Sequence, residues 1–169
     1  ERYCERSSLA AVVFLGDNFY PVGVSAVDDP QWKSKFSDVY GSPCLKKLPF
    51  FALLGNHDYK GSPEAHIQHR SDLGPTWVMP HRFYEINFGT RLQLVMLDTN
   101  VLDFCGLADR CTIDFMLKAL ENSTASSRLV LGHHPIASAS QKYPKPNLQS
   151  RVLMKLLCDR SLAFIAGHS

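Results

Sequence analysis

Four apolar runs in this sequence end alike: AVVFLGDNFY, FFALLGNHDY, RLVLGHHP and LAFIAGHS. Each is a hydrophobic stretch followed by a glycine and then by aspartate, asparagine or histidine. Glycine lets a chain turn sharply and brings its backbone close to whatever occupies the turn. The residues delivered there, Asp17, Asn56, His133 and His168, are oxygen and nitrogen donors of the kind that hold divalent zinc, manganese or iron. A single Gly-Asp or Gly-His after a strand is an ordinary turn. Four in one chain, with the donor type varied among them, read as a metal site. GDNFY adds a phenol three residues after its carboxylate. Asp17 and Tyr20 on one loop can bind the same ion or adjacent ions. Free phenol ionises only at about pH 10, so its ligation at neutral pH calls for a strong Lewis acid, best a ferric ion. Asp17, with two oxygens, can bridge that ion to a second.

The elements that must position these residues follow from hydrophobic periodicity. Short apolar runs rich in β-branched and aromatic residues predict buried strands over residues 11–15, 50–54, 83–88, 92–97, 129–131 and 162–166. NFGTRLQL predicts a tight hairpin around Gly89 and Thr90. Helices are predicted over residues 31–40 and 63–73, the second capped by Ser62 with Pro63 at its first position. Ile113, Met116, Leu117 and Leu120 form one apolar helix face with Thr112 as N-cap, and Leu148, Val152, Leu153, Leu156 and Leu157 form another. The mixed order of strands and helices predicts an α/β layered architecture, residues 1–169 forming a single domain. Ligands in open α/β sheets bind outside the carboxyl ends of the strands, so the four turns would converge on one small volume.

Composition narrows the function classes. The chain has 169 residues, 45% hydrophobic and 20% charged, the balance of one globular domain. Net charge is +2 with no block of like charge, which gives no electrostatic support to a nucleic-acid or anionic-membrane partner. No stretch approaches the roughly 18–20 consecutive apolar residues of a membrane span, and the opening ERYCERSSLAAVVFLGD does not read as a signal peptide. Five cysteines without a C-x-x-C pair argue against a zinc ribbon. Cys105 and Cys111 flank a short loop and could bridge, while Cys158 reads as a small buried hydrophobe. Asn122-Ser123-Thr124 fits an N-glycosylation acceptor. His66 and His69 read as solvated histidines on a helix, and Trp32 and Trp77 as core or loop anchors.

GDNFY, GNHD, GHHP and the terminal GH together resemble the calcineurin-like metallophosphoesterase superfamily. The tyrosine of GDNFY, with FSDVY, YEINF, MLDT and the following CG, is similar to the purple, tartrate-resistant type of acid phosphatase. The resemblance spans the chain from about Leu9 onward. It implies a metallophosphoesterase-type β-sandwich flanked by helices and a single catalytic domain. It also implies a dinuclear centre of ferric iron plus divalent iron, zinc or manganese. Asp17 would bridge the ions, Tyr20 would bind the ferric one, and Asn56, His133 and His168 would complete the divalent site. His57 would stand over the substrate phosphate, and Asp58 would orient His57 as part of the catalytic pair. His134 falls where relatives carry tyrosine or another residue and is not counted as a ligand. The implied activity is hydrolysis of phosphate monoesters by hydroxide generated at the metals, in proteins that are often secreted or lysosomal.

The sequence also departs from that pattern. No upstream strand ending in Gly-Asp precedes Asp17, and the last motif stops at Gly167-His168-Ser169, short of a final histidine. Lys142 stands roughly where small members carry a further histidine, and the cysteine that pairs with the one matching Cys105 has no equivalent. The chain therefore reads as an interior piece of a longer enzyme, missing a first strand and C-terminal strands. Two other readings remain: another calcineurin-like phosphoesterase (a phosphodiesterase, nucleotidase or protein phosphatase) with two divalent ions, or a non-catalytic module with an incomplete metal site.

Overall fold

A computed structural model describes residues 4, 6, 8–71, 74–101, 110–137, 148–158, 160 and 163–168. They fall into two compact units, Glu1–His81 and Arg82–Ser169, and the architecture is α/β.

The first unit is built on a parallel sheet in the order β1 (Val12–Leu15), β2 (Pro49–Leu53) and β3 (Thr76–Val78). β3, three residues long, is too short to show alternation, and periodicity does not reveal it. Where a helix is predicted over residues 31–40, the chain forms a π-helical turn at Trp32–Ser37 that buries Trp32 and Phe36. The helix α1 (Pro63–Gln68) starts as predicted: Ser62 Oγ accepts a hydrogen bond from Ala65 N, and Pro63 opens the first turn. It stops well short of residue 73, because His69 adopts an extended ψ of 134°. The core is aromatic. Trp32 and Trp77 meet at 5.0 Å between centroids, and Phe36 and Phe50 at 5.3 Å, both edge-to-face, a geometry favoured by the ring quadrupoles. Both tryptophans are buried there.

His66 is not solvated. It is fully buried among the rings of Phe19, Trp32 and Trp77, whereas His69 stacks flat on Trp32 at 3.7 Å.

A disulfide joins Cys4 to Cys44 within this unit, a pairing that spacing alone does not single out. Cys105, the expected bridge partner of Cys111, lies outside the described residues, as does Lys142. Closing a loop of about 40 residues restricts the unfolded chain by about 4 kcal/mol in the chain-entropy estimate. Reduction, or Cys4→Ser, is expected to lower stability in urea by about that amount, read as a fall in the unfolding midpoint with a steeper slope, because the freed unfolded chain is less compact.

The second unit holds a four-stranded mixed sheet in the order β4 (Tyr84–Phe88), β5 (Leu92–Met96), β6 (Ser127–Gly132) and β7 (Ala163–Ala166). β4 and β5 form the predicted hairpin, with Phe88 opposite Leu92 and Gly89 at φ +59° in the turn. β5, β6 and β7 are parallel neighbours. The helix α2 (Arg110–Glu121) begins before Thr112, which is therefore a buried helical residue and not its N-cap. Met116, Ala119 and Leu120 of α2 pack with Leu153 and Leu157 of α3 (Leu148–Cys158) and with Val95, Leu97 and Val130 of the sheet. Cys158, at the end of α3, is exposed rather than buried. Among the described residues no helix is long and apolar enough to cross a membrane.

Candidate metal centre

In the first unit the parallel pairing of Leu15 with Leu53 places the turn after β1 beside the turn after β2. The contact is close enough to dictate the glycine in GNHD. A Cβ on Gly55 would fall inside the van der Waals envelopes of Asp17 N and Oδ1. Asp17 itself sits at φ +54°, a left-handed conformation that L-residues adopt at a cost and that clusters at functional sites. Its carboxylate is held at both oxygens: Oδ1 accepts from His57 N at 2.9 Å, and Oδ2 accepts from the Tyr20 hydroxyl at 2.8 Å. Tyr20 is 56% exposed with its ring 4.4 Å from that of His57. The loop thus displays the phenol rather than packing it underneath. Asn56 stands in the same turn, half-buried, between Gly55 and His57.

His57 Nδ1 lies 2.6 Å from the Pro21 carbonyl oxygen. Lys60 Nζ also lies 3.3 Å from Nδ1, but the carbonyl contact is much the shorter and a carbonyl only accepts, so Nδ1 carries the hydrogen and Nε2 is the nitrogen left for proton exchange.

Asp58 is a correction to the sequence reading. Its carboxylate does not hold His57. It is fully buried and accepts from Gly55 N at 2.9 Å, Asn18 N at 3.0 Å, Phe19 N at 3.2 Å and Asn18 Nδ2 at 2.9 Å. Asp58 therefore clips GDNFY to GNHD. Burial pushes its carboxyl up from the ordinary 3.8 to about 6 against those donors, with the nearby Asp17 charge adding to the rise. His66 Nε2 lies 3.7 Å from Asp58 Oδ1, and burial, followed by the neighbouring His69, pushes that imidazole down from 6.5 to about 4.

These opposed shifts predict a pH response. Between about pH 6 and pH 4 the folded pair holds one proton, on Asp58, and the unfolded chain also holds one, on His66. Stability depends on the difference in bound protons, so the pair contributes almost no slope there. In His66→Phe only the raised Asp58 remains. Its contribution is then fully present below pH 3.8 and lost as pH rises through about 6, worth about 3 kcal/mol. Urea titrations of the metal-free protein at pH 4 and pH 7 should show this difference in the variant relative to the parent; equal changes in both would refute it.

In the second unit β6 and β7 end side by side, Gly132 paired with Ala166, which sets His133 next to His168. His133 Nε2 and His168 Nδ1 are 2.9 Å apart. Two nitrogens each about 2.0–2.1 Å from one ion stand about 2.9 Å apart when they meet it at right angles, so the pair fits a shared cation. His168 adopts φ +53°, the same left-handed strain as Asp17 at another strand end.

His134 joins this group. Donor atoms of His133, His134 and His168 all lie within 4.8 Å of one another. Thr99 decides which role His134 can take. Its Oγ1 accepts from His133 N at 3.1 Å and His134 N at 2.9 Å, which occupies both lone pairs. Its one proton is then donated to His134 Nδ1 at 3.0 Å, and the neutral ring carries hydrogen on Nε2. That tautomer makes His134 a hydrogen-bond donor rather than a third ligand. Sequence spacing does not reveal this contact: MLDT leaves the end of β5, and only the parallel pairing of β5 with β6, Met96 opposite Leu131, brings Thr99 beside GHHP.

A family model for calcineurin-like phosphoesterases matches residues 2–169. The human protein tartrate-resistant acid phosphatase type 5 is 29% identical over 93% of this chain and 54% of its own length. Purple acid phosphatase 4 of Arabidopsis thaliana is 31% identical over 99% of this chain and 54% of its own. The chain thus spans about half the length of the curated relatives it matches. A solved structure described as GAP50, the anchor in the inner membrane complex of Plasmodium, superposes with a TM-score of 0.83 at 25% identity, covering 99% of this chain and 58% of that one.

Proposed function

The chain belongs to the calcineurin-like phosphoesterase family, and on that premise we propose that it is the ligand-bearing part of a metal-dependent acid phosphatase acting on phosphate monoesters. The observation that carries this reading is the matched spacing of donor atoms at strand ends, 2.8 Å for Asp17 with Tyr20 and 2.9 Å for His133 with His168. Asp17 and Tyr20 would hold a ferric ion, and Asp17, Asn56, His133 and His168 would hold a divalent one, iron, zinc or manganese. When bound, two such cations neutralise the phosphate oxygens and lower the pKa of water. The remaining work falls to the chain's own groups. His57, fixed through Nδ1, offers Nε2 to the leaving-group oxygen and moves a proton there. His134, fixed through Thr99, offers an Nε2 hydrogen to a phosphate oxygen. The GAP50 match supports a second reading, a non-catalytic binding module that keeps the fold alone.

Colour tests the proposal. A ferric–phenolate pair absorbs visible light, so the iron-loaded protein is expected to be coloured and Tyr20→Phe to bleach it while the divalent ion stays bound. A colourless, iron-free protein that still hydrolyses phosphate esters would favour two divalent ions. One that takes up no metal and hydrolyses nothing would favour the binding module.

A further inference from the structure

We propose that Asn122 is an N-glycosylation site and that the first sugars of its glycan settle in an open concavity beside it. Asn122-Ser123-Thr124 is the one Asn-x-Ser/Thr triplet in the sequence, and the fold presents it well. Asn122 N closes the last turn of α2 on Lys118 O at 3.0 Å, and the chain then crosses a short connection to β6. Asn122 and Thr124 are exposed there, while the middle residue, Ser123, is half-buried with its Oγ accepting from Ala125 N at 3.2 Å. The acceptor amide and the hydroxyl that a transferase must read therefore both face water.

Two independent observations point the same way. The Cys4–Cys44 disulfide is of a kind that forms and persists in oxidising compartments, and N-glycans are attached in one of these, the endoplasmic reticulum. Asn122 also lies on the rim of a concavity of about 540 Å³, together with Glu85, Asn87, Gln93, Phe115 and Lys118. That volume lies within the roughly 300–1,000 Å³ of small-ligand clefts. Glu85 and Asn87, on the solvent side of β4, and Lys118 supply polar groups around it. Phe115 supplies an apolar surface of the kind on which sugar rings pack.

The transfer balances with a polyisoprenoid pyrophosphate oligosaccharide as donor. Asn122 Nδ2 loses a proton and forms a bond to the anomeric carbon. The anomeric C–O bond breaks, and the lipid pyrophosphate leaves with the electron pair.

The test is the full-length protein made in the secretory pathway of eukaryotic cells, read by peptide mass before and after peptide:N-glycosidase. Attachment at Asn122 is expected, abolished by Asn122→Gln and Thr124→Ala and restored by Thr124→Ser. An unmodified Asn122 in the secreted, disulfide-bonded protein would overturn the proposal. The seat is tested by rate: the glycosidase should release the glycan at least tenfold more slowly from the native protein than from the denatured one. Equal rates would overturn the seat and leave the attachment standing.

Discussion

Replacing His57 with alanine is expected to lower turnover of phosphate monoesters by about 10²–10⁴-fold, the range for losing a positioned general acid, with bound metal unchanged. The expectation rests on how His57 is held. Its backbone N–H supports Asp17 Oδ1, and its side chain is anchored by Pro21 O through Nδ1. Alanine keeps the first interaction and removes only the ring, so the Asp17 carboxylate stays in place. His57→Gln should recover little, because an amide cannot exchange a proton near neutral pH. Metal analysis decides the role: stoichiometric loss of an ion in His57→Ala would make the residue a ligand and remove it from proton transfer.

The neighbouring position should behave in the opposite way. Asp58→Ala is expected to cost about 3–5 kcal/mol of stability, because three backbone donors, Gly55 N, Asn18 N and Phe19 N, lose their acceptor together, and each orphaned donor costs about 1–3 kcal/mol. For a chain of this size that is a fall in Tm of about 10 °C. Metal uptake should weaken as well, since Asp17 and Asn56 stand on the two turns that Asp58 ties together. His57→Ala should leave Tm nearly where it was. A stable Asp58→Ala variant with turnover lost would return Asp58 to the role that the sequence suggested, acting through His57.

The contrast between these adjacent residues shows what the sequence could carry. Strand ends were legible because an apolar run followed by glycine and a donor is a local pattern, which marks four of the seven strands among the described residues, and apolar runs alone revealed two more. Asp58 was misread because its partners, Asn18 and Phe19, lie about 40 residues upstream, and no local pattern records that contact. His66 was misread for the same reason: nothing around it in sequence announces the rings of Phe19, Trp32 and Trp77 that bury it. The Cys4–Cys44 bridge and the role of Thr99 likewise depend on which strands become neighbours. β5 beside β6 puts Thr99 under the two histidines, and that neighbourhood is a property of topology, not of spacing.

The proposal's central claim is that Asp17, Asn56, His133 and His168 hold one ion, and anomalous diffraction from crystals of the zinc-loaded protein tests it most directly. The expected result is a zinc peak about 2.0–2.2 Å from an Asp17 carboxylate oxygen, the Asn56 amide oxygen, His133 Nε2 and His168 Nδ1. A peak bound by His133 and His168 but out of reach of Asp17 and Asn56 would contradict it.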